Sequence, residues 1–241
     1  MPMLIYAIKR LAGPDAKGKL DVLVSSVEDV QTNEQARKVV DEVSPDWIVW
    51  SAGAGGRGGP DRTRAVDEVA CKRFVHAAFH SPGVTKFLLV SYPGSREQKP
   101  AWWSDESWKE SRRANEEVLP AYAKAKIAAD RYFASAFLAA KDGKRPGGKE
   151  FVAIDLRPGT LTEEPAGKVS LGKTEKSGKV SRASVADVAA RLLESGYKGG
   201  WVDLSNGDED PAAAVKRVVA EGVDTLEGED LGQIRPLFGK E

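Results

Sequence analysis

Cysteine, histidine, net charge and long apolar runs are all scarce in this 241-residue chain. The single cysteine, Cys71, excludes a disulfide framework and any cysteine-based metal site, and it suits a reducing compartment. The only histidines, His76 and His80, stand four apart in a helical pattern, but no carboxylate motif completes a site, so no metal is expected. The 36 basic and 36 acidic residues cancel, which leaves no global field to attract nucleic acid or a membrane surface. No stretch approaches the roughly 18 apolar residues of a membrane span, and no secretory leader is evident. A cytoplasmic location is therefore expected.

What is present alternates. Short β-branched runs at Met3–Ile8, Leu20–Ser25, Asp46–Ser51, Lys86–Ser91, Phe151–Leu156 and Trp201–Leu204 are bounded by Gly, Pro or charge and read as strands. Helical patterns fall between and after them at Asn33–Val43, Arg62–Phe79, Asn115–Ala140, Ser184–Leu193 and Pro211–Glu221. Ser184 to Asp187 reads as an N-terminal capping pattern, and Pro211 sits where a first-turn proline is favoured. Alternation of this kind predicts an α/β domain whose mainly parallel sheet is covered on both faces. No linker divides the chain, so residues 1–241 are expected to form one domain. Lys141–Lys149 and the lysine-rich Lys168–Arg182 read as solvated connections. Three tryptophans in Ala101–Trp108 are expected to form a lid, a substrate wall or a flap packed on its own domain.

Two clusters carry chemistry. After the apolar run ending at Trp50, Ser51 to Gly59 holds Gly53, Gly55 and Gly58 in G-x-G-x-x-G spacing, followed by Pro60 and a helix. Glycines there would let backbone approach a pyrophosphate at a helix N-terminus. A dinucleotide fingerprint, however, should be followed by a strand ending in a charged residue, whereas the next strand ends Val90-Ser91-Tyr92-Pro93. The cluster reads better as a loop lying beside a cofactor, with a plain glycine turn as the other alternative. Second, Tyr122 and Lys126 lie four apart, on one face of a helix. An ammonium there lowers the phenol's pKa, and the phenol can exchange a proton with a carbonyl or alcohol during hydride transfer. The Ser91 hydroxyl, at a strand end, could hold the substrate oxygen beside it.

In order, Val49-Trp-Ser-Ala-Gly53, Phe87-Leu-Leu-Val-Ser91, Tyr122 with Lys126, Leu156-Arg-Pro-Gly159 and Lys179 through Asp187 resemble the atypical short-chain dehydrogenase/reductase family, nearest its NmrA-like NAD(P)-binding fungal members. The resemblance spans roughly residues 20–230. It implies a Rossmann-like three-layer sandwich in which Ser51, Ala52 and Gly53 line the cofactor ribose. Tyr122 and Lys126 would be the proton-transfer pair, Lys126 also holding the ribose. Pro158, Gly159 and Thr160 would meet the nicotinamide end. Ser91 best matches the catalytic serine, with Ser95 as a rival.

The start departs from the family. Met3–Arg10 resembles the family's second strand, with Lys9 or Arg10 placed to meet the 2′-phosphate of NADP. The first strand and Gly-rich phosphate loop are thus expected to be missing, and with a strand order of 3-2-1-4-5-6 the missing strand is the central one. The alternative puts Met3–Ile8 in the first-strand position. The expected function is NAD(P)-dependent oxidation or reduction of a small carbonyl or alcohol. NADP(H) is the favoured cofactor and NAD(H) stays open, although loss of the phosphate loop weighs against binding. A non-catalytic NAD(P)-sensing or protein-binding regulator, and a truncated product without cofactor, are the alternatives. A small-molecule substrate is the expected partner, and a homo-oligomer is left open.

Overall fold

Local sequence sets the helix ends before any packing is considered. In the computed structural model, which describes residues 20–55, 58–175 and 178–239, helix α1 (Asn33–Val43) starts at a capping box: Thr32 accepts from the Gln35 N–H while Gln35 accepts from the Thr32 N–H. Helix α2 is continuous through Gly59–Thr63, a π-helical Arg64–Ala70 and Cys71–His80. Next come α3 (Asp105–Arg113), running into a π turn at Ala114–Val118, and α4 (Pro120–Lys141). Helix α5 (Arg182–Glu194) is capped by Ser181, one turn before the expected Ser184 start, and α6 (Pro211–Glu221) is capped by Asp210. A short α7 (Leu231–Ile234) follows. Among the described residues no helix is long and apolar enough to cross a membrane.

The strands are β1 (Trp47–Trp50), β2 (Lys86–Val90), β3 (Val152–Pro158), β4 (Thr160–Thr162), β5 (Val169–Gly172), β6 (Lys179–Ser181) and β7 (Gly200–Asn206). The main sheet runs β1-β2-β3-β7-β5, parallel except that β5 pairs antiparallel with β7. A second, two-stranded sheet joins β4 to β6. The order β1-β2-β3 is that of the expected 4-5-6 half of a Rossmann sheet, and among the described residues β1 has one neighbour, β2.

Period-two alternation divides the strand residues between two cores. Phe87, Leu89 and Ala153 pack under α1, α2 and α4, with Phe74, Phe79 and Phe133 supplying most of the bulk. Leu88, Ile154, Leu156, Val202 and Leu204 pack under α5 and α6. This is the three-layer α/β arrangement with a mainly parallel sheet that the alternation predicts. On β1 only Trp50 is buried, whereas Trp47 is 42% and Val49 50% exposed.

Three expectations change. Leu20–Ser25 forms no strand: Leu20, Leu23 and Val24 are exposed, and no sheet partner meets them among the described residues. The Met3–Ile8 strand and Arg10 lie outside the described residues. Lys168–Arg182 is not simply solvated, because Val169, Leu171 and Val180 are buried in β5 and β6. Within Lys141–Lys149, Arg145 is buried beneath the end of α2. The tryptophan segment is a flap packed on its own domain: Trp103 is 2% exposed and its Nε1 donates to the Thr174 carbonyl at 2.8 Å.

Candidate functional site

Parallel strands in register bring three loops to one end of the sheet. Ser51–Gly55 follows β1, Ser91 follows β2, and Gly159 follows β3. Helix α4 crosses this end and is pinned there, as Lys126 Nζ donates to the Val90 carbonyl at 3.1 Å. Ser91 continues the β2–β3 ladder through its N–H to the Leu156 carbonyl at 2.8 Å, while its Oγ donates to Asp130 Oδ2 at 2.5 Å. Tyr122 lies one turn before Lys126, its ring 5.2 Å from that of Tyr92. The Tyr92 hydroxyl is held separately, donating to Asn115 Oδ1 at 3.0 Å. The structure thus gathers Ser91, Tyr122 and Lys126 around the end of β2.

Asp67, from the π-helical turn of α2, completes the wall and was not foreseen. It is 3% exposed and accepts the Ala54 N–H at 2.9 Å. A Cβ on Gly53 would stand 2.9 Å from Asp67 Oδ1, which explains the glycine by close packing. Seven residues at i→i+5 spacing are rare and recur where a helix presents an unusual side chain to a site. Nothing in the Arg64–Ala70 pattern signalled the extra residue per turn.

Electrostatics here are set by burial. Desolvation pushes the Tyr122 phenol above its ordinary value, and Lys126 opposes this while Asp67 and Asp130 add to it. The lysine thus acts in the expected direction but burial outweighs it, so the phenol holds its proton through neutral pH. Burial alone would lower Lys126, yet Asp130, Tyr122, Cys71 and Asp155 together raise it, keeping it an ammonium. Asp67 is raised by desolvation, opposed by the Ala54 hydrogen bond, Lys126 and Arg62.

Behind the pair lies a buried ladder of charge. The α4-facing positions of β3 run Ala153, Asp155, Arg157, turning from apolar to charged as the strand nears the site. Arg157 approaches Asp130 at 3.7 Å, Asp155 at 3.5 Å and Asp203 at 3.4 Å, and all four are fully buried. Arg96 pairs with Asp203 at 2.8 Å and packs against the rings of Trp102, Trp103 and Trp201. Removing one member would leave a buried charge uncompensated, at a typical cost of about 3–5 kcal/mol. Sequence offered one signal for this ladder, the charged residues inside the apolar run of β3.

Other expected residues sit as follows. Ser51 is exposed and Ala52 half-buried on the loop after β1. The N–H groups of Gly159 and Thr160 are spent on the carbonyls of Leu204 and Gly178, at 2.8 and 3.0 Å. A Cβ on Gly159 would stand 2.1 Å from the Gly178 carbonyl oxygen, so this glycine is required by packing. Pro158 is buried, and Thr160 exposes its side chain. The rival serine, Ser95, is buried with no partner for its hydroxyl among the described residues, and its carbonyl accepts from Arg157. At the glycine cluster, helix α2 begins at Gly59 behind a left-handed Gly58. There Arg62 pairs with Glu28 and donates to the Ala54 carbonyl at 3.3 Å, which clasps the helix start with a carboxylate alongside.

The donor set fits a ribose better than a pyrophosphate. Lys126 Nζ carries three protons and among the described residues donates one of them, to Val90, so a 3%-exposed ammonium keeps donors for a diol. The loop Ser51–Gly53 lies at the same sheet end, with Ser51 and Gly53 exposed.

Comparison with known proteins says which class this fold belongs to. Residues 9–196 match the NAD(P)H-binding family, and the chain belongs to that family. The UPF0659 protein C216.03 of Schizosaccharomyces pombe is 29% identical over 83% of this chain and 77% of its own length. The uncharacterized sugar epimerase YhfK of Bacillus subtilis is 31% identical over 72% of this chain and 69% of its own. Among solved structures, the oxidoreductase ylbE of Lactococcus lactis shares the fold, with a TM-score of 0.62 at 23% identity, over 83% of this chain and 78% of that one.

Proposed function

We propose that the chain is an NAD(P)-dependent oxidoreductase acting on a small carbonyl or alcohol. The carrying observation is the buried Lys126 ammonium, tied to the end of β2 and one helical turn from the Tyr122 phenol. Lys126, Ser51, Ala52 and Gly53 would hold the cofactor's ribose, and Pro158 to Thr160 would lie at its nicotinamide end. When bound, the nicotinamide supplies or accepts the hydride. Tyr122 holds a proton at its hydroxyl and delivers it to, or takes it from, the substrate oxygen. Lys126 favours the phenolate that results, because a cation in a dry site stabilises a neighbouring anion strongly. Ser91 meets the substrate oxygen from the strand side. Names of relatives support the class, since one is an oxidoreductase and another a sugar epimerase. NADP(H) is proposed over NAD(H) on the strength of Arg10, and the single buried Cys71 accords with a cytoplasmic setting.

The test is calorimetric titration with NADPH and NADH, followed by turnover of small aldehydes, ketones and alcohols. Tyr122→Phe is expected to keep cofactor affinity and to lose about 10²–10⁴-fold in turnover. A folded protein that binds neither cofactor would refute the reading. Unchanged turnover in Tyr122→Phe would instead remove the phenol from the mechanism.

A further inference from the structure

The Ser91 hydroxyl has one proton and a carboxylate oxygen within hydrogen-bond distance to accept it. Ser91 Oγ lies 2.5 Å from Asp130 Oδ2, with both residues buried. Asp130 is one turn beyond Lys126 on α4, and its second oxygen is buried with no hydrogen-bond partner among the described residues. Arg157 Nη1 stands 3.7 Å from the same Oδ2. We propose that Asp130 is a positioning residue of this site: its carboxylate takes the Ser91 proton, so Ser91 meets a ligand only as a hydrogen-bond acceptor. This rests on the oxidoreductase reading above.

The consequence concerns substrate form. A serine hydroxyl offers one proton and two lone pairs. With the proton committed to Asp130, only lone pairs face the site. An alcohol O–H can donate to them, whereas a carbonyl oxygen, which has no proton, cannot. The site therefore favours binding of the hydroxyl-bearing member of the substrate pair; on oxidation its O–H turns from Ser91 to the Tyr122 phenolate, which takes the proton, and Tyr122 alone donates to the carbonyl member. Charges around the carboxylate agree with this assignment. Lys126 and Arg157 face it as cations, Asp155 is the nearby like charge, and Tyr92, Tyr122 and Cys71 stand around it as neutral groups. Among the described residues Asp155 has no hydrogen bond on either oxygen, and burial with the charge of Asp130 raises its pKa well above the ordinary value.

Two measurements on the full chain test the assignment. The first needs no turnover: NMR on wild type labelled at aspartate Cγ and serine, from pH 5 to 9, with cyclohexanol added in the presence of NADPH or cyclohexanone in the presence of NADP⁺, pairs that cannot react. Expected are a slowly exchanging Ser91 hydroxyl proton absent in Ser91→Ala, and a shift of that proton with cyclohexanol alone. A protonated Asp130, or equal shifts with both probes, would overturn the proposal even in an active enzyme. No shift with either probe would overturn the acceptor role while leaving the hydrogen bond standing. The second is kinetic, comparing wild type with the isosteric Asp130→Asn in both directions. KM for the alcohol is expected to rise about tenfold, the upper scale of one neutral hydrogen bond, with KM for the ketone little changed. Equal rises in both KM values would mark a merely structural residue. Absence of all turnover with the NMR signature intact would sink the oxidoreductase reading and not this one.

Discussion

Arg145 offers a sharp test of how this fold is held. Its Nε donates to the Phe79 carbonyl at 3.1 Å. Nη2 reaches Ala78, Ser81 and Val84 at 3.4, 2.9 and 2.5 Å. Nη1 reaches Lys149 and Glu150 at 3.3 and 2.6 Å. The guanidinium thereby closes the C-terminal end of α2 and ties it to the segments entering β2 and β3, while its plane packs on Phe151 at 4.8 Å. Phe79 and Val84 are buried, so water cannot replace the donor at those two carbonyls, whereas the Ala78 carbonyl keeps the Ser81 N–H. At about 1–2 kcal/mol for each stranded acceptor, Arg145→Ala should cost about 2–4 kcal/mol. For a chain of this size that corresponds to a fall in Tm of about 4–16 °C. Arg145→Lys keeps the charge but has three donors on a shorter reach, and should lose roughly half as much. Urea unfolding followed by circular dichroism measures both. An alanine variant within about 0.5 kcal/mol of wild type, the range of an ordinary surface substitution, would refute the reasoning.

Two further predictions follow from buried groups. Asp155 is raised in the folded state by burial and by Asp130, so it favours folding when protonated. Stability from it is present below the unfolded pKa, near 4, and is lost as pH rises toward the folded value. Asp155→Asn should therefore gain on wild type as pH rises from 4.5 to 8.5 in thermal melts, and a pH-independent difference would count against this. Burial pushes the Cys71 thiol up to about 12, so native protein should resist a thiol reagent at pH 8 and react fully once unfolded. Rapid stoichiometric labelling of the native state would contradict the burial.

Much of the scaffold was legible because its signals are local. Asn33–Val43 and Pro211–Glu221 have the expected ends, since Thr32, Asp210 and Pro211 write them into the chain. Strands β1, β2, β3 and β7 stand within a few residues of their apolar runs. Failures share a physical cause, which is partnership distant in sequence. Leu20–Ser25 has strand composition, but composition does not supply a neighbour to pair with. Strands β4, β5 and β6, of three or four residues each, are too short for alternation to register. Helix α3 was hidden by its tryptophan and charge, and is fixed by the Ser104 cap. At the site, the spacing of Tyr122, Lys126 and Ser91 was readable from motif and order. Asp67 was not, because a π turn brings it there, nor was Asp130, whose meaning depends on the Ser91 hydroxyl and on Arg157.

Strand β1 also has an optical consequence. Of the six tryptophans, Trp50, Trp103 and Trp201 are buried and Trp102 and Trp108 half-buried, while Trp47 stands 42% exposed with Lys86 Nζ 4.6 Å from its ring. Its emission should be the reddest and the most easily quenched by acrylamide, and it reports on the one face of the edge strand that the described residues leave uncovered. Anything that settles on that face, another part of the chain or another molecule, would announce itself as a blue shift in a single residue.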